Sequence, residues 1–124
     1  MNYLIEIPNE VPPSLNKSMK WHYRKKTEER NTWAEMIFVT AGRTTARQLR
    51  TWSGLKTRMK VRVTICHPKL YDRDNAQGGC KSVIFDALRQ IGFIHDDSEE
   101  FLDQDVTQVK SKVRKTMIEI EPAS

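Results

Sequence analysis

The chain has 124 residues, 38% hydrophobic and 30% charged, with a net charge of +5. That length suits one domain, 1–124, with a core of its own. With no apolar run of about 18 residues and no signal-like N-terminus, the expectation is a cytoplasmic protein without a membrane span. The charge is uneven: up to residue 70 there are 14 Lys/Arg against 5 Asp/Glu, and from residue 71 onward 7 against 11. A basic surface around an acidic pocket suits a polyanionic partner; a basic solvated face with no ligand is the plainer alternative. Cys66 and Cys80 lack metal-ligand spacing and read as small buried side chains.

In chain order, Tyr3 to Ile7 reads as a strand ended by Pro8. Pro12-Pro13-Ser14-Leu15-Asn16 reads as a loop, because proline lacks a donor for a sheet. Lys17, Lys20, Trp21, His22, Tyr23, Arg24, Lys25 and Lys26 then interleave bases with aromatics, a pattern suited to phosphates and exposed bases. The competing reading is that Trp21 or Tyr23 packs on the core. His22 has no second His at ligand spacing. Thr27 is the expected cap of a first helix, with Glu28 and Glu29 in its first turn. Trp33, Met36, Ile37, Thr40 and Ala41 form its buried stripe, and Gly42 its end. Arg43 to Arg58 reads either as a polar connection or as a short second helix. Its arginines are either solvated or a second phosphate patch.

Met59, Val61, Val63 and Ile65 alternate with Lys60, Arg62 and Thr64, which predicts a strand with one dry face. His67-Pro68 ends it. Val106 and Val109 suggest a third strand and Thr116 to Glu121 a fourth, with a hairpin turn expected between Lys110 and Lys115.

Just beyond the second strand comes Tyr71-Asp72-Arg73-Asp74-Asn75. In an extended segment, residues two apart share a face, so Asp72 and Asp74 are expected side by side. Two close carboxylates repel, and a hard cation such as Mg²⁺ relieves this. A solvated turn with Asn75 capping a helix is the plainer reading. The helix is expected over Lys81 to Ile91, ended by Gly92, with Asp96-Asp97 on the loop beyond. Ile84, Leu88 and Ile91 form its apolar stripe. Lys81 is either a surface lysine or a charge aimed at the acids. Asp86 lies about 140° from it on a regular helix and reads as a structural charge.

The ordered set Asp72-Arg73-Asp74-Asn75, Lys81, Phe85-Asp86-Ala87-Leu88, Gly92-Phe93 and Asp96-Asp97 resembles the RusA family of Holliday junction resolvases, small nucleases borne mostly by phages and prophages. The Pro-Ser-Leu-Asn element and the basic stretch after it resemble that family's N-terminal region. The resemblance implies an α+β fold, a small mixed sheet of about four strands against two main helices, acting as a homodimer on branched DNA. It implies Mg²⁺ (with Mn²⁺ as a substitute) held by Asp72, Asp74 and Asp97, Lys81 as the catalytic lysine, and no organic cofactor. Asn16, Lys20, His22, Arg24, Lys25 and Arg73 become the candidate DNA contacts. One departure stands out. In the family member compared, the lysine follows the second aspartate by four residues; here the gap is seven, with Gly78-Gly79-Cys80 as the extra length. The activity implied is metal-assisted hydrolysis of a phosphodiester in recombination and repair. A branched-DNA-binding protein without cleavage and a nuclease for other branches are the alternatives.

Overall fold

The computed structural model describes residues 2–123. Four strands form one mixed sheet in the order β1-β4-β2-β3: β1 (Tyr3–Pro8), β2 (Met59–His67), β3 (Leu102–Lys110) and β4 (Lys115–Pro122). β4 runs antiparallel to both β1 and β2, while β2 and β3 are parallel. The fold is therefore α+β, as expected. β2 takes an inner position because its dry face is complete: Met59, Val61, Val63 and Ile65 are fully buried. On its other face the registers set Lys60 between Glu121 and Asp103, and Arg62 between Glu119 and Asp105. Opposite charges across strands favour this register, and Arg62 reaches Asp105 at 3.2 Å.

The segment between β3 and β4 is not a hairpin. β2 lies between those strands, so residues 111–114 step across its end, where Ser111 N–H donates to the His67 carbonyl (3.0 Å). The strand that separates β3 from β4 lies some 45 residues earlier in the chain, which no local turn signal reveals.

Helices cover the dry face. Residues before the first long helix form a short one, α1 (Leu15–Met19), in place of the expected loop. Ser14 caps it by accepting from Lys17 N–H. The long helix α2 (Tyr23–Gly54) starts at His22, whose Nδ1 accepts from Arg24 N–H (3.3 Å), and not at Thr27. Gly42 interrupts it with φ 83° and ψ 167°, so Arg43 onward is a second helical piece. A straight helix of 32 residues would extend about 48 Å, against a domain diameter of roughly 35 Å at this chain length. The break returns the second piece to the core, where Ala46 and Leu49 are buried beside Trp33 and Ile37 from the first.

The second helical layer begins earlier than expected. α3 (Arg73–Cys80) runs into a π-helical stretch (Lys81–Phe85) and then α4 (Asp86–Gln90), one continuous rod. Asp72, not Asn75, occupies its N-cap position, although the Asp72 side chain makes no capping hydrogen bond. The rod packs through Ala76, Cys80, Val83, Ile84, Phe85 and Leu88, and Gly92, at φ 77°, reverses the chain after it.

Candidate active-site groove

β3 is the edge of the sheet beneath α3, and its helix-facing side is only half apolar. In register with Met59, Val61, Val63 and Ile65 of β2 stand Leu102, Gln104, Val106 and Gln108. The two glutamines interrupt the dry face where the helical rod contacts β3 only lightly. A groove opens at Gln104. One cavity of about 430 Å³ is lined by Asp74, Gln77, Gly78, Lys81, Gln104 and Val106 together with Glu99. A second of about 400 Å³ is lined by Arg58, Asp97, Leu102 and Asp103. Glu99 and Gln104 border both, so the two are contiguous.

The seven-residue gap between Asp74 and Lys81 keeps them on one face. Seven residues at 3.6 per turn return to within about 20° of the starting direction, roughly 10 Å further along the axis. Asp74, Gln77, Gly78 and Lys81 are accordingly the helix positions that line the first cavity. The π-helical stretch begins at Lys81; such wide turns occur often at functional sites. Ser82 Oγ donates to the Gly78 carbonyl (3.0 Å), satisfying an acceptor at this irregular turn.

Gly78 and Gly79 serve a second purpose. A Cβ on Gly79 would run into the Pro13 carbonyl, and one on Gly78 would lie 2.6 Å from Leu15 Cδ2. Bare backbone at these positions brings the Pro-Ser-Leu-Asn element against α3. Asn16 N–H donates to Asn75 Oδ1 (3.2 Å), and Tyr71 Oη donates to the Pro12 carbonyl (3.1 Å). The Asn75 side chain thus ties two segments together and does not cap the helix.

Gln108 holds the approach to the rod. Its Oε1 accepts from Tyr71 N–H (2.8 Å) and its Nε2 donates to the Tyr71 carbonyl (3.0 Å). With the amide oriented by these two bonds, His67 Nε2 at 3.0 Å must be the donor to Oε1. His67 is 2% exposed; it orients Gln108 from within the fold and does not face the groove. Burial pushes the Tyr71 phenol up, against the nearby positive charge of Arg114. Burial likewise pushes the Cys80 thiol up to about 12, so at neutral pH it is a protonated core side chain.

The candidate acids are not equivalent. Asp74 lines the first cavity and Asp97 the second, whereas Asp72 lines neither. Asp72 is the N-cap residue and Asp74 stands in the first turn of a helix, not at alternate positions of an extended segment. Asp96 is turned onto its own loop: the Asp97 backbone N–H, followed by the Ser98 side chain, holds its carboxyl below the usual range. Asp86 meets Asp97. Burial first, then the negative charge of Asp97, raises the Asp86 carboxyl, opposed by Arg89 and Arg30. Asp86 lies 4.0 Å from Arg89 Nη2, consistent with a structural charge.

Of the candidate DNA contacts, Asn16 is fixed on α3 and Arg73 stands in that helix's first turn. Lys20, His22, Arg24 and Lys25 form an exposed basic run from the end of α1 into α2. Lys25 Nζ lies 4.9 Å over the half-buried Trp21 ring. Glu99, Gln104 and Gln108 were not among the sequence candidates. The interrupted dry face of β3 was the available signal for the glutamines.

The groove offers oxygen donors on Asp74, Asp97, Glu99, Asp103 and Gln104, the hard ligands that Mg²⁺ accepts. Among the described residues, no three His, Cys, Asp or Glu side chains form a preassembled metal cluster. Mg²⁺ commonly takes only one or two carboxylates and completes its shell with water and phosphate, so the donor chemistry fits. No helix among the described residues is long and apolar enough to cross a membrane. No protein-family model and no curated protein matches the chain.

Proposed function

We propose that the protein is a Mg²⁺-dependent, structure-specific endodeoxyribonuclease that resolves Holliday junctions, acting as a homodimer so that two grooves meet two strands. The observation that carries this reading is the groove in which Asp74 and Lys81 share one helix face with Asp97 contiguous beyond. The resemblance of the motif to RusA resolvases supports it, as does the docking of Asn16 onto Asn75 at the head of the basic run. A bound Mg²⁺ would polarise a phosphoryl oxygen and lower the pKa of a water. The chain's own residues do the rest. Asp74 and Asp97 supply anionic oxygen ligands from the two adjoining cavities. Lys81 faces the phosphate with a charge that opposes the negative charge gathering in the transition state. Asn16 and the bases of α1 and α2 hold the flanking backbone.

Branch binding without cleavage is the second reading. The contact of Asp97 with Asp86 favours it, since a carboxylate engaged there must turn to serve as a ligand. Incubating a labelled four-way junction with the native protein and with Asp74→Asn, in Mg²⁺ and in EDTA, separates the two. The nuclease reading expects paired nicks that require Mg²⁺ and fall at least about 100-fold in the variant. Tight binding by the native protein with no nicks in Mg²⁺ or Mn²⁺ would establish the second reading instead. Neither binding nor cleavage would exclude both.

A further inference from the structure

Arg58 stands at the opposite end of the groove from Lys81. It lines the cavity that holds Asp97 and Asp103 and is exposed to solvent. Its Nε donates to the Glu99 carbonyl (3.0 Å), and its own carbonyl accepts from Ala123 N–H (2.8 Å). Backbone and guanidinium are therefore both held. Yet Arg58 takes part in none of the ion pairs among the described residues, although its cavity is shared with three acids. A guanidinium anchored through Nε leaves its terminal Nη edge free, two donors whose spacing matches two oxygens of a phosphate. The other arginines of the 43–58 segment are placed elsewhere: Arg43, Arg47 and Arg50 line a hollow beside Gly42, and Arg50 Nε is spent on the Ile91 carbonyl (3.0 Å).

Electrostatics give this placement a purpose. A groove bordered by Asp74, Asp97, Glu99 and Asp103 repels a phosphodiester unless cations flank it. Lys81 supplies one at the α3 end. We propose that Arg58 supplies the other, binding a backbone phosphate of the DNA strand that lies along the groove on the Asp97 side. The identity of the ligand as DNA rests on the nuclease reading above.

Fluorescence anisotropy with a labelled four-way junction in EDTA, over a range of salt concentrations, tests the assignment in the absence of cleavage. Arg58→Gln removes the charge, Arg58→Lys keeps it without the paired donors, and Arg50→Gln breaks an equivalent side-chain-to-carbonyl bond outside the groove. The expected result is about tenfold weaker binding by Arg58→Gln, with a log–log salt slope shallower by about 0.9, the value for one lost phosphate contact. Arg58→Lys keeps the native slope and part of the affinity, and Arg50→Gln binds as the native protein does. Native affinity and slope in Arg58→Gln overturn the proposal, as does an equal loss in Arg50→Gln. Arg58-dependent binding by a native protein that never cuts in Mg²⁺ upholds Arg58 and removes the nuclease reading. Cleavage by a native protein whose Arg58→Gln variant binds normally removes Arg58 alone. A native protein that binds no DNA removes both.

Discussion

Asp86 and Asp97 show how one residue's environment sets its role. Asp86 lies on the inner side of the rod, where burial and then the charge of Asp97 raise its carboxyl above the ordinary range. An acid that binds its proton more tightly in the folded state stabilises the fold most when protonated. That contribution is full below the unfolded value, near 3.9, and is lost as pH rises through the raised folded value. Once Asp86 is ionised, the negative charge of Asp97 repels it, with Arg89 and Arg30 offsetting part of the repulsion. Asp86→Asn removes one charge, keeps the shape and provides a donor to Asp97. The variant is expected to melt above the native protein at pH 7, with the gap closing as pH approaches 3. Melting curves at pH 3, 5 and 7 measure this, and a gap independent of pH would contradict the electrostatic account. The pairing was not apparent in the sequence because Asp86 and Asp97 meet only after Gly92 reverses the chain.

Elements were readable where one sequence segment carried its own instructions. From Met59 to Ile65, β2 alternates because helices cover one face and charged neighbours flank the other. Gly42 and Gly92 mark breaks because their backbones lie at positive φ. β3 was only half readable: Val109 is 48% exposed and lies on the opposite face from Val106, while Gln104 takes a core-side position in the groove and Gln108 one from which it holds Tyr71. The start of α2 was hidden because histidine is not among the favoured caps. The start of α3 was hidden because Gly78 and Gly79 weaken a helix by roughly 1 kcal/mol each relative to alanine, so their segment resembles a loop. Their reason is tertiary, the close passage of Pro13 and Leu15. Gly79→Ala should therefore gain helix propensity and still lose stability, by about 1–3 kcal/mol from overpacking. Gly54→Ala, where an added Cβ meets nothing within 4 Å, should be neutral or slightly stabilising. Denaturant titrations of the two variants decide the matter: equal midpoints would mean that the α3 contact yields without cost.

At the scale of the whole molecule, the charge at the start of α2 is the one arranged against local stability. The first turn of α2 carries Arg24 and Lys25, with Lys26 just after, and no acid. Cations at a helix N-terminus oppose the macrodipole, at about 0.3–1 kcal/mol each on an exposed surface. Glu28 and Glu29, which suit an N-terminus, sit a turn too late to offset them. A sequence selected for stability alone would place these charges at the other end of the helix. The arrangement is explained if a polyanion supplies the missing negative charge when it binds, with its phosphates meeting both the side-chain cations and the positive end of the dipole. Arg24→Gln combined with Lys26→Gln is then expected to shift the protein in two opposite directions. The free variant should melt at a higher temperature than the native protein, because the conflict with the dipole is gone. Its binding to a four-way junction should weaken, with the salt slope shallower by up to about 1.8, twice the value for one phosphate contact. Both quantities come from one protein preparation. A variant that melts higher but keeps the native salt slope would place the DNA elsewhere and leave the basic run as a solvated face. One that melts lower would show that these cations have partners whose contribution exceeds the dipole's cost. Only the combination of greater stability and weaker, less salt-dependent binding fits a helix end held in readiness for phosphate.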